Sequence, residues 1–208
     1  MRHTAILFGP LSAGVLATGI ICLPAMVPDY DPIRQTVSEI GEVGSPAQMP
    51  FTTLLIAVAV CLLVFAWALH DLSRRRGLSP SAAYAVGFMA IPVAGVGVFA
   101  FPHPLHNVFG LAELIGYQAP LVLALTWRRE TEARRAVSFS WIMTAVVWIA
   151  IALNLATLAR ESALWSVEAP VYGLVQRSLF AAWFIWVAGL GVILAREATL
   201  RLRLRLRL

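Results

Sequence analysis

Six separate stretches of this chain are apolar for about 20 residues each, the length an α-helix needs to cross the roughly 30 Å hydrocarbon core of a bilayer. They run near Ala5–Val27, Phe51–His70, Ala82–Phe101, Leu105–Trp127, Ser138–Leu158 and Val171–Ala195. Inside lipid every backbone N–H and C=O must find its partner within the protein, and continuous apolar runs of this length do so as helices. With 208 residues, 60% of them hydrophobic, little chain is left for any other domain. The sequence therefore predicts an all-α, polytopic membrane protein, a six-transmembrane-helix bundle over residues 1–195 followed by a basic cytoplasmic tail at 196–208. The first run follows Arg2 and His3 and ends in LPAM, the outline of a signal peptide. Its length is that of a span, and it is read as a retained helix.

Charge supplies the orientation. The chain has no lysine and sixteen arginines. Thirteen of them (Arg2, Arg74, Arg75, Arg76, Arg128, Arg129, Arg134, Arg135, Arg196 and the four of the RLRLRLRL ending) fall on one side, against Arg34, Arg160 and Arg177 on the other. The positive-inside rule then places both termini in the cytoplasm of a cell with the protein in its inner membrane. The net charge of +5 is accounted for by an anionic leaflet, and nucleic acid is not an expected partner. Cys22 and Cys61 lie within spans and read as small apolar fillers. RLRLRLRL alternates with period two and gives a helix no clean face, so it reads as a frayed tail on headgroups or a cloning remnant.

The outer connections carry the polar residues. In VPDYDPIRQTVSEIGEVGSPAQMP, Asp31 suits an N-cap, Pro32 the first helical position and Gly41 a stop, which predicts a short interfacial helix over Asp31–Gly41. Ile33, Val37 and Ile40 make its apolar stripe, and Arg34, Gln35, Ser38 and Glu39 its polar side. Such a helix lies over the bundle as a lid. The second connection, FPHPLHNVFGLAELIGYQ, puts Pro102 and Pro104 at the junction of spans three and four and His106 in the first turn of the fourth. There the positive helix end favours a neutral imidazole. Glu113 falls on the same face, about 10 Å deeper, and Tyr117 continues the stripe.

A carboxylate at that depth costs about 2.5–3.5 kcal/mol to insert and calls for a partner. Arg177 in the sixth span is expected to pair with Glu113, and Gln176 and Asn154 add amides at a similar level. Two uses follow, a buried pair holding helices in register or the polar floor of an outward-facing pocket. The candidate ligand-binding residues are His106, Glu113, Tyr117, Asn154, Gln176, Arg177, Ser38 and Glu39. No metal or other cofactor is expected. The zinc candidates would be His103, His106, Asp29 and Asp31, but Pro104 interrupts the histidine spacing and Asp31 has a capping role. His70 lies across the membrane from the other two histidines, which argues against a bis-histidine haem. Nucleophile elbow, phosphate loop and HExxH motifs are absent from the sequence. Ser38 is the one serine in a polar setting near the histidines, and is expected to be an exposed hydroxyl rather than a nucleophile.

PDYDPIRQTVSEIG after the first span, followed by FP and a nearby histidine at the start of a later one, resembles the DUF998 family of small multi-spanning membrane proteins. Tyr30, Pro32, Arg34, Ser38 and Gly41 match the first motif, and Pro102 and His106 the second. The resemblance implies the multi-span fold and the outward position of both motifs. It implies no chemistry, because the family's function is unknown. The expected function is a binding or accessory membrane subunit without catalysis, taking a lipid or small ligand, with membrane lipids and another membrane protein as partners. The alternative is a membrane-embedded hydrolase, with or without a metal, acting on lipid at the outer leaflet.

Overall fold

The computed structural model describes residues 2–155 and 161–205, and the described residues are helical with turns between. Among the described residues ten α-helices follow one another: α1 (Arg2–Ala5), α2 (Phe8–Cys22), α3 (Val37–Ile40), α4 (Gln48–Arg75), α5 (Ser81–Val98), α6 (Pro104–Gly116), α7 (Ala119–Thr126), α8 (Arg134–Asn154), α9 (Ala163–Glu168) and α10 (Tyr172–Arg205). Six segments are long and apolar enough to cross a membrane: Phe8–Met26, Gln48–Arg75, Ser81–Val98, Pro104–Thr126, Thr131–Asn154 and Ala163–Leu200. The protein is thus a multi-pass bundle, as its apolar runs predict.

The spans close into a ring. α2 packs on α4 and α10, α4 on α5, α5 on α6 and α7, α7 on α8, and α8 on α10. Large side chains fill the middle, with Phe65, Leu62, Trp183, Trp186 and Leu190 fully buried. The outward faces are as apolar as the core, with Ile21, Trp67, Ile91, Ile142 and Ile185 exposed. Apolar groups on both sides of a helix are what a lipid solvent demands.

The fourth span is broken. Pro120 has no N–H to give to the Gly116 carbonyl, and α6 ends there before α7 begins at Ala119. The freed carbonyl accepts from the indole Nε1 of fully buried Trp183 on α10, at 3.0 Å. A neighbouring helix thereby satisfies a backbone group that lipid could not.

The end that carries Arg74–Arg76, Arg128, Arg129, Arg134 and Arg135 is tied by an ion pair of 3.2 Å between Arg76 and Glu197. Past Arg196 the chain differs from the expected frayed tail: α10 continues as helix through Arg205, propagating from a span that is already nucleated. Residues 206–208 and Arg160 lie outside the described residues. Cys61 is buried in α4, while Cys22, at the end of α2, is exposed, and both are free thiols.

Candidate functional site

The lid is shorter than its sequence suggests. Asp31 begins a turn rather than a helix: its Oδ1 accepts from Ile33 N at 2.9 Å and its carbonyl from Gln35 N at 2.8 Å. An Asp-Pro pair serves a turn as well as a helix start. The helix α3 starts at Val37, capped by Thr36 and Glu39 in a reciprocal capping box, with Glu39 Oε2 accepting from Thr36 Oγ1 at 2.7 Å. Val37 and Ile40 point into the core, but Ile33 is exposed and does not join their stripe.

α10 holds this loop from below. Val37 N donates to Gln176 Oε1 at 2.7 Å, and Leu174 N to the Ile33 carbonyl at 3.2 Å. The Arg177 guanidinium donates to the Gln35 carbonyl at 2.8 Å, to the Gly173 carbonyl at 2.9 Å and to the Tyr30 hydroxyl. Tyr30 in turn donates to the Thr36 carbonyl at 2.7 Å. Burial pushes the Tyr30 phenol above its ordinary value, against the opposing pull of Arg177. Gly173 is the point of closest approach. A Cβ there would sit 2.6 Å from the Pro32 carbonyl oxygen and 2.8 Å from that of Ile33, and would also meet that of Gln35.

The predicted Glu113–Arg177 pair is not formed. At about 1.5 Å per residue, Glu113 lies about 14 Å along α6 from Pro104, and Arg177 only about 8 Å along α10 from Tyr172. The guanidinium therefore reaches the lid's carbonyls, while Glu113 Oε2 accepts from the Tyr117 hydroxyl, one turn on, at 2.8 Å. Both Glu113 and Tyr117 are buried.

Ser38, expected to be exposed, is partly buried and joined to the fourth span. Its Oγ lies 2.9 Å from His106 Nε2. His106 is itself buried, and its Nδ1 faces two backbone carbonyls at the end of α5, Val96 at 3.1 Å and Phe99 at 2.9 Å. Carbonyls only accept, so Nδ1 carries the hydrogen, and Nε2 of the neutral ring is left to accept from Ser38. Phe101 meets the imidazole edge-on, with ring centroids 5.9 Å apart.

Both polar pairs open onto one cavity of about 40 Å³. Ser38 and His106 line it, as do Glu113 and Tyr117, and the rest of its wall is apolar, including Leu16, Phe51, Met89, Val93 and Phe180. Of the residues singled out from sequence, four therefore share a cavity. The others do not reach it. Gln176 and Arg177 fasten the lid, Glu39 is spent in the capping box, and Asn154 Nδ2 donates to the Ala150 carbonyl at 2.8 Å and, on α10, to that of Val175 at 3.1 Å. His103 caps α6 through Nδ1, which accepts from Leu105 N at 3.1 Å, and Asp29 is exposed at a φ of 55°. Among the described residues no three His, Cys, Asp or Glu side chains converge. The apolar wall had no sequence signal beyond composition and Tyr30 only its place in the first motif, but the Thr36–Glu39 capping box stands in the sequence as TVSE.

A model of the family described as protein of unknown function (DUF998) matches residues 10–193, and the chain belongs to this family. No curated protein and no solved structure matches it. The matched range holds both short motifs, and Ser38 of the first now bonds His106 of the second.

Proposed function

We propose that this DUF998 protein is a multi-pass protein of a cell inner membrane, with both termini in the cytoplasm, that binds the apolar chain of a membrane lipid beneath its lid. It acts as a binding or accessory subunit, and its partners are membrane lipids and another membrane protein. The observation that carries this reading is the cavity, apolar over most of its wall yet bordered by one buried and one partly buried polar pair. Pockets for amphiphiles have this build: many apolar side chains and a few fixed polar groups. Intramembrane carboxylates are also costly enough that a Glu113 whose hydrogen-bond partner among the described residues is Tyr117 points to use. The cavity has room for a chain end, and Met89 in its wall is unbranched and adaptable. The reading requires no metal or other cofactor. The sorting of arginines supports the orientation, with the lid end outward.

The test is lipid mass spectrometry on protein purified in mild detergent. Wild type is expected to retain lipid near one to one, and Val93→Phe, whose larger side chain takes up cavity space, to lose it while remaining folded. Equal lipid in both proteins, or none in wild type, overturns the reading.

A further inference from the structure

We propose that Ser38 and His106 are a nucleophile and its general base, and that they cleave a carboxylic ester of a lipid whose acyl chain enters the cavity. The inference rests on the pocket reading and adds a reaction to it.

Hydrogen bonds that only hold the lid are already supplied by Gln176 and Arg177, whose side chains do not line the cavity. The Ser38–His106 bond differs because both its residues do. It also has three parts in the order an activated hydroxyl requires. The hydroxyl lies 2.9 Å from Nε2, and Nδ1 on the far side of the ring is held at 2.9 and 3.1 Å by carbonyls. Those carbonyls fix the ring plane and the tautomer, the orienting role a carboxylate plays elsewhere. The apolar wall then receives the acyl chain and brings its carbonyl to Ser38.

The reaction balances with water as the second substrate. Ser38 Oγ attacks the ester carbonyl carbon and its proton passes to His106 Nε2, while the carbonyl π pair moves onto oxygen. Collapse re-forms the carbonyl, breaks the bond to the alcohol oxygen, and the alcohol leaves with the proton from Nε2. Water then attacks the acyl-Ser38 carbon, gives a proton to Nε2, and the Oγ–carbon bond breaks as Ser38 recovers that proton. The products are a carboxylic acid and an alcohol.

The experiment treats the full-length protein in nanodiscs with an alkyl fluorophosphonate, read by intact mass and peptide mapping, beside hydrolysis of 4-methylumbelliferyl octanoate. One adduct is expected, on Ser38. His106→Gln should slow labelling at least about 100-fold, the lower end of a general base's contribution, and Ser38→Ala should abolish ester turnover. Absence of an adduct on Ser38 in wild type overturns the proposal whatever the variants do. So does labelling that is indifferent to His106. If lipid is still retained in either case, the pocket reading stands without the chemistry; if no lipid is retained, both fall.

Discussion

The guanidinium of Arg177 in the last span donates to the hydroxyl of Tyr30 in the loop after the first span, across 147 residues of sequence. The same group takes the Gln35 carbonyl, so one arginine closes the lid onto α10. Arg177→Met removes these charge-assisted bonds, and hydrogen bonds to charged groups contribute about 1.5–3 kcal/mol each. The expected result is a clear drop in melting temperature with faster proteolysis between Tyr30 and Gly41. Unchanged cleavage there would show that the lid is held by other contacts.

The phenol of Tyr30 makes the same seat sensitive to alkali. Burial raises its folded value above the ordinary value of about 10. A raised value means that the stabilisation is whole below pH 10 and is lost as pH climbs through the higher folded value, because the unfolded chain releases its proton first. Tyr30→Phe should be less stable than wild type at neutral pH and should lack this alkaline component. Melting curves from pH 8 to 11.5 decide it, and parallel losses for both proteins would assign the effect elsewhere.

Gly173 is where the two pieces touch. Gly173→Ala drives a methyl group into lid carbonyls and should cost about 1–3 kcal/mol, the usual range for overpacking. Gly14→Ala is the control, since a Cβ there meets nothing within 4 Å. Equal melting temperatures for the two variants would contradict the close approach.

The break in the fourth span gives a pair of compensating changes. Trp183→Phe removes the donor to the Gly116 carbonyl and should cost about 1–3 kcal/mol for an unpaired buried acceptor. Pro120→Ala restores a backbone N–H that can serve the same oxygen. The double variant should therefore recover part of the loss, and strict additivity would show that the two donors do not compete for one acceptor.

The orientation proposed from thirteen arginines against three has the lid outside, and on that proposal a reporter fused after Leu208 that is active only beyond the membrane should be silent. Activity there would turn the cavity to the cytoplasm.

The spans and their order could be read from apolar length alone, because a bilayer leaves a chain few choices. The lid's position was legible too, but not its start. Asp31–Pro32 imitates a helix N-terminus, while the true signal, Thr36 three residues before Glu39, lies further along. The Glu113–Arg177 pairing failed for a different reason. The two groups sit at different distances from the ends of α6 and α10, which apolar run lengths do not resolve, and backbone carbonyls of a loop compete for an arginine as well as a carboxylate does. Ser38 was misread as exposed because its partner comes 68 residues later, and no local pattern records that meeting.

The lid's seat also sets an order of events during synthesis. Residues 30–41 leave the ribosome early, yet Gln176, Arg177 and Gly173, which receive them, are made about 140 residues later. At elongation rates of about 5–20 residues per second, the loop waits several seconds or more with its carbonyls in water before the final helix inserts. Maturation of the site thus waits for α10, and a nascent chain halted before Tyr172 presents an unfastened loop at the membrane surface, a feature by which quality-control proteases can tell an unfinished copy from a finished one.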